Sequence, residues 1–256
     1  MVKNCDLCNK YQPAQPKLPI MQPDFPTRPW EKLGTNIFEQ NGKKYLMVVD
    51  YYSRLPVIRL PTDMTGHTVC NHFTSILAEY SLPATIIADF GSRRISERFR
   101  SKCVQSGITL HCSSPYHHQS NSLAERTIAT CKSFLRKEEK ECPYTALRIH
   151  RTTPLDDQTP SSHELLFGRK PQTTLPSSRS TLKSRHPDND LHQEANQRRQ
   201  EKQAVFYDRK AGSDKRPLNN QEPVFLWNAL KRTWQPATGL KRPQPTECPR
   251  TYTVDI

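Results

Sequence analysis

Leu33-Gly-Thr-Asn-Ile-Phe-Glu-Gln-Asn-Gly-Lys-Lys-Tyr-Leu-Met-Val-Val-Asp50 decides the architecture of this chain. Two strand-like runs, 33–38 and 44–50, flank Gln40-Asn-Gly-Lys43. Asn-Gly tolerates the left-handed backbone of a two-residue hairpin turn, so the runs read as paired antiparallel strands. Such a turn sets Gln40 opposite Lys43. It follows that Asn36 faces Met47 and Leu33 faces Asp50. Side chains on a strand alternate between sheet faces. Asp50 and Glu39 are each an odd step from Asn36, so both point to the other face.

Working outward, Val57-Ile-Arg-Leu60 continues as a third strand. Thr68 to Tyr80 has helical periodicity, with Val69, Phe73, Ile76, Leu77 and Tyr80 on one side. Thr85–Asp89 is a short apolar strand, Glu97–Ser106 a second helix and Ile108–Cys112 a fifth strand. A polar loop, Ser113–Asn121, leads to a long helix from about 122 to 139, and Ser161–Phe167 forms a shorter one. This order predicts an α/β fold of ribonuclease H type: a mixed five-stranded sheet with flanking helices. Residues 177–191, rich in Ser, Thr, Arg and Pro, read as a disordered linker. His192–Tyr207 reads as a charged helix. From Glu222 to Ile256 apolar and polar residues alternate, which suggests a small C-terminal β-barrel. The expected organisation is a short N-terminal module and Pro-rich linker (1–29), a core (30–176), the linker (177–191) and a basic helix with a partial barrel (192–256).

The chain has 256 residues, 34% hydrophobic, with a mean hydropathy of -0.81. That bounds it to one real core with loosely packed flanks. A net charge of +13 points to a polyanionic partner, most simply nucleic acid. A basic disordered tail is the competing explanation. Of eight cysteines only Cys5 and Cys8 form a motif. Others fall inside apolar patterns, as buried free thiols of a reducing compartment do. No secretory leader and no apolar run near the roughly 18 residues of a span is visible. The expectation is an intracellular protein without membrane contact, nuclear if it meets DNA.

Asp89 closes Ala84-Thr-Ile-Ile-Ala-Asp89, and Glu125 lies in Asn121-Ser-Leu-Ala-Glu-Arg-Thr127. Two carboxylates in such contexts look like two thirds of a metal-binding triad. Upstream, Asn36 stands where the third carboxylate is wanted. Singly, the bland readings win: Asp89 as a turn residue before Gly91, and Ser122-x-x-Glu125 as a capping box. Together with their neighbours, both read as ancestral metal ligands. On the long helix, Ala124, Ile128, Cys131 and Leu135 make an apolar stripe, and Glu125, Lys132 and Arg136 a second one beside it. A solvated face accounts for Lys132 and Arg136 nearly as well. His117 and His118 in the loop read as hydrogen-bonding residues rather than ligands.

Several further motifs carry a resemblance: Cys5-x-x-Cys8, Arg28-Pro-Trp30, Tyr45-Leu-Met-Val-Val-Asp-Tyr-Tyr-Ser-Arg54, Asp89-x-Gly91, Ser113-Ser-Pro-Tyr-His117, Ala124-Glu-Arg126, Arg151-Thr-Thr-Pro154 and Glu164-Leu-Leu-x-Gly-Arg169. As a set they resemble the integrases of gypsy-type long-terminal-repeat retroelements, over about residues 5–176 and more weakly 192–256. The resemblance implies two Mg²⁺ ions held by two strand acids and a helix glutamate. Asp89 and Glu125 match the second and third of these, and Asn36 takes the first position. Phe90 and Ser122 also depart from the usual Asn and Gly. The resemblance further implies DNA contact by Gln119 and Lys132, and possible homo-oligomers. Cys5 and Cys8 match the cysteine half of the family's zinc module. A closed structural site needs four ligands, and no histidine precedes Cys5, so zinc is not expected in this chain. The C-terminal barrel reads as clipped at Val254-Asp-Ile256.

Phosphodiester attack needs an activated oxygen and a stabilised leaving group, which two divalent ions roughly 3.5–4 Å apart supply. Mg²⁺ prefers hard, charged oxygen ligands. Asparagine offers one amide oxygen and no charge. Losing several kcal/mol of transition-state stabilisation costs orders of magnitude in rate. The sequence therefore predicts an integrase-derived nucleic-acid-binding protein with catalysis lost. The alternatives are an active Mg²⁺-dependent strand transferase with a substitute first ligand, and a domesticated interaction module or decayed gene product. Expected DNA contacts are Gln119, Lys132, Arg136 and the tail residues Arg198, Arg199, Lys202, Arg209, Lys210, Lys231 and Arg232.

Overall fold

A short helix, α1 (Asp6–Lys10), precedes a hairpin of β1 (Lys32–Gln40) and β2 (Lys43–Asp50). The hairpin has the expected register, with Gln40 opposite Lys43, Asn36 opposite Met47 and Leu33 opposite Asp50. Asn41 and Gly42 both take positive φ, 51° and 69°, as a turn matched to strand twist requires. The computed structural model describes residues 6–13, 16, 19, 24–88, 97–112, 122–137, 143–157, 159–174, 176, 178–180, 182–183, 188–209, 211–212, 219, 221–228, 231–241 and 253–255.

β3 (Pro56–Arg59) pairs antiparallel with β2. α2 (Gly66–Tyr80) follows, capped by Thr65, whose Oγ1 accepts the Thr68 N–H. β4 (Thr85–Ala88) joins β1 in parallel; after α3 (Glu97–Gln105), β5 (Thr109–Cys112) joins β4 in parallel. The sheet order is β3-β2-β1-β4-β5. α4 (Ser122–Lys137), α5 (Pro143–Thr152), the small pair β6 (Pro154–Asp156) and β7 (Thr159–Ser161), and α6 (Ser162–Phe167) complete the core. Then come α7 (Asn189–Asp208), β8 (Glu222–Asn228), β9 (Thr233–Lys241) and β10 (Thr253–Asp255).

Strand alternation splits the core into two layers. On one face Leu33, Leu46, Val48, Val57 and Ile86 bury against Cys70, Phe73 and Ile76 of α2 and Phe99 and Cys103 of α3. On the other, Phe38, Met47, Val49 and Ile58 bury against Ala124, Cys131 and Leu135 of α4 and Leu147 of α5. The apolar stripes read from the sequence for α2 and α4 are the ones that pack. At one edge Trp30 stacks on Tyr80, ring centroids 4.5 Å apart, and its indole N–H donates to the Ser81 carbonyl at 2.9 Å.

Neither α5 nor the β6–β7 pair is among the elements expected from the sequence. Arg151, near the end of α5, explains its Arg-Thr-Thr-Pro setting. Its Nε and one terminal nitrogen both donate to the Pro56 carbonyl, at 2.9 and 2.6 Å, tying α5 to the start of β3. A lysine there supplies one point donor in place of the planar fork. We expect Arg151→Lys to lower stability by about 1–3 kcal/mol, read as a fall in denaturation midpoint. An unchanged midpoint would show the clamp to be dispensable.

The chain divides into two compact units, Asp24–Gln197 and Met1–Pro23 with Arg198–Ile256. The expectation of disorder over 177–191 and of a tail beginning at 192 needs correction at its C-terminal end. α7 begins at Asn189, where Asp188 Oδ1 accepts the N–H groups of Asp190 and Leu191 at 3.0 and 3.3 Å. His192 and Asn196 are buried. The Tyr52 hydroxyl donates to Asn189 Oδ1 at 2.7 Å, and Arg54 donates to Asn196 Oδ1 at 2.7 Å. His192 Nε2 sits 3.0 Å from the Tyr52 carbonyl. Polar residues buried by mutual pairing leave no hydrophobic period to read. In the other unit, where a small barrel is expected, the described residues form a three-stranded sheet, β10-β9-β8.

Candidate active site

Asn36 lies on β1, on the face that carries Phe38 and Met47 and that α4 covers. It is half-buried. Its Oδ1 accepts the Ile37 backbone N–H at 2.7 Å. The last described β1–β4 pair is Thr35 with Ala88, one residue short of Asn36 and of Asp89. Asp89 and Phe90 lie outside the described residues, as do Gln119, His117 and His118 in the loop before α4.

Glu125 is exposed in the first turn of α4, beside Ala124, which is fully buried against the sheet. One helical face further on, the Lys132 ammonium sits 6.0 Å from the centroid of the Phe38 ring, at the outer limit of a cation–π contact. Phe38 is two residues from Asn36 on the same face. Lys132 is therefore half-buried beside the candidate site rather than on a freely solvated helix face. Arg136, a turn later, is exposed.

Asp50 does not substitute for the missing carboxylate. As the pairing parity requires, it lies on the face opposite Asn36. There it is fully buried and accepts from four donors: the N–H groups of Trp30 at 3.1 Å, Tyr52 at 3.3 Å and Ser53 at 3.0 Å, and the Ser53 hydroxyl at 2.7 Å. Burial pushes its carboxyl above the usual carboxylate range, against the opposing pull of these bonds. This hub is a structural role that sequence reasoning missed. The Asp50-x-x-Ser53 spacing is its signal, because a short polar side chain that bonds backbone two or three residues on builds a turn.

Among the described residues no group of three or more His, Cys, Asp or Glu is placed to hold a metal ion. Asn36 does not fit the role of a bridging ligand: it is neutral and its oxygen is engaged by the backbone. Cys8, on α1, is exposed and forms no disulfide; Cys5 lies outside the described residues. Of the expected DNA-contacting tail residues, Arg198, Lys202 and Arg209 are exposed on or beside α7, and Arg199 is half-buried. Lys231 and Arg232 are exposed at the β8–β9 turn, Arg232 with φ of 49°. Lys210 is outside the described set. Among the described residues no helix is long and apolar enough to cross a membrane.

A protein of Caenorhabditis elegans described as uncharacterized is 29% identical over 185 residues, covering 68% of this chain and 14% of that protein. The Pro-Pol polyprotein of simian foamy virus type 3 is 28% identical over 203 residues, covering 75% of this chain and 18% of the polyprotein. The structure of the simian T-cell lymphotropic virus intasome in complex with PP2A regulatory subunit B56 gamma contains a similar chain. Its TM-score is 0.56 at 17% identity, over 95% of this chain and 83% of that one. The chain is similar in sequence to retroviral and retrotransposon polyproteins, and its fold is similar to that of a chain of this retroviral intasome. No family model matches it. The chain spans less than a fifth of these two curated relatives, 14% and 18% of their lengths.

Proposed function

We propose that this integrase-like chain binds nucleic acid through phosphate contacts and no longer catalyses strand transfer. The observation that carries the reading is Asn36. At the position where the family's first acidic ligand belongs stands a neutral amide, its oxygen turned onto the Ile37 N–H. Mg²⁺ is the ancestral ion of such a site. Asp89 and Glu125 remain candidates to hold it, with one charge fewer than a bridging pair of ions demands. With Mg²⁺ or Mn²⁺, the purified protein is expected to show no end-processing or joining above a Glu125→Gln control. Metal-dependent joining that Glu125→Gln abolishes would overturn the reading and restore the active transferase.

Binding is supported by the net charge of +13 and by the exposure of Lys231 and Arg232 together on one turn. Phosphate contacts release counterions, so log affinity for double-stranded DNA should fall linearly with log salt, by about 0.9 per phosphate neutralised. We expect Lys231→Glu with Arg232→Glu to flatten that slope by about two contacts, and Lys132→Ala by about one. No binding at low salt would favour an interaction module instead. A nuclear location follows only if the DNA arm holds.

A further inference from the structure

We propose that the C-terminal half of α7 is a stacking platform for unpaired bases, so that the chain takes single-stranded nucleic acid as well as duplex. The inference deepens the nucleic-acid reading above and rests on it. Arg198, Glu201, Lys202, Val205, Phe206 and Arg209 line a shallow groove along this half of the helix. At about 3.6 residues per turn, all six fall on one side of it. Val205 is 62% and Phe206 76% exposed. Arg198, Lys202 and Arg209 are exposed beside them. The six belong to one compact unit.

Residues three and four apart are neighbours on a helix surface. Phe206 therefore has Lys202 on one side and Arg209 on the other, while Glu201 lies at the opposite margin of the groove. A ring between two cations suits a single strand. The phosphates meet the cations, and an unpaired base lays its π-face on the ring, a contact that every base can make. In a duplex the bases are stacked inside and present only their edges in the grooves, so the Phe206 ring finds no face to cover. A lipid surface takes a helix with a broad apolar face, which two apolar side chains among cations do not make. Three cations against one carboxylate complement a polyanion, whereas a second copy of the same face would set like charges together.

The test uses the full chain and two labelled probes at one salt concentration. One is an oligothymidylate of about 12 nucleotides, within the range of single-strand site sizes; the other is a duplex of equal length. Phe206→Ala should weaken single-strand binding about tenfold and leave duplex binding unchanged. Phe206→Trp, which keeps a stacking face, should bind the single strand as the unmodified chain does. If Phe206→Ala lowers the melting temperature, Phe206→Leu decides, because it keeps apolar bulk and removes the π-face: it too should weaken the single strand alone. No loss on the single strand, or equal loss on both probes, overturns the proposal. Duplex binding by the unmodified chain then leaves the phosphate-contact reading standing; binding to neither probe overturns both. Self-association that Phe206→Ala abolishes, with single-strand affinity unchanged, would assign the face to a second copy and overturn the proposal.

Discussion

Asp50→Ala is expected to remove about 3–6 kcal/mol of stability from the core unit. The substitution leaves three buried backbone N–H groups, those of Trp30, Tyr52 and Ser53, without acceptors, each costing about 1–3 kcal/mol. The loss is not confined to the turn. Through Trp30, Asp50 fixes the residue that stacks on Tyr80. Through Tyr52 and Arg54 the same turn holds Asn189, His192 and Asn196 of α7. Denaturant unfolding followed by Trp fluorescence would measure the effect; a change below about 1 kcal/mol would mean that water replaces the carboxylate. The pH dependence has a definite sign. Because burial raises the folded-state pKa of Asp50, its contribution is full below the ordinary carboxylate pKa, about 3.9, and is lost as pH rises through the folded value. The advantage of the unmodified chain over Asp50→Asn should therefore shrink as pH rises above about 4.

Asn36→Asp carries the second large effect, on ion binding rather than folding. The strand geometry, the face and the covering helix are all in position at Asn36, so the change adds charge without requiring a new backbone. Divalent affinity rises with the number of charged oxygens in a site, and we expect tightening of about tenfold or more for Mn²⁺. Ion-dependent stabilisation reports it directly, because a ligand at 100 times its Kd adds about 2.7 kcal/mol. Tight binding by the unmodified chain that this substitution leaves unchanged would show that the first ligand lies elsewhere. Recovery of catalysis is a separate matter, since Phe90 still stands beside Asp89.

Much of this frame was legible because it rests on short-range rules. The Asn41-Gly42 turn fixed the pairing, and the pairing fixed which face Asn36 and Asp50 take. The stripe of Ala124, Ile128, Cys131 and Leu135 gave the packed side of α4. α5 was not read although its ten residues are amphipathic; its buried contribution is one leucine, Leu147, and a half-buried arginine, Arg151, over a length too short to stand out in the sequence. The start of α7 at Asn189 and the burial of its first two turns escaped for a related reason. Their buried residues are His192 and Asn196, which look like surface residues until Tyr52 and Arg54 are brought beside them by the fold. The engagement of Asn36 Oδ1 and the seat of Lys132 over Phe38 depend on rotamers, on which composition and spacing are silent.

Cys131 has a practical consequence. Its thiol is fully buried where α4 meets the sheet, and burial pushes its pKa up to about 12. The thiolate is the species that attacks an alkylating reagent and displaces its leaving group, so labelling at this position at neutral pH proceeds only when α4 lifts away and the thiol meets water. Cys8 and Cys112, both exposed, calibrate the reaction with an accessible thiol. The ratio of the rates is then a clock for local opening. It reports how often the helix carrying Glu125 and Lys132 uncovers the strand that carries Asn36, and whether DNA or a divalent ion holds that helix down.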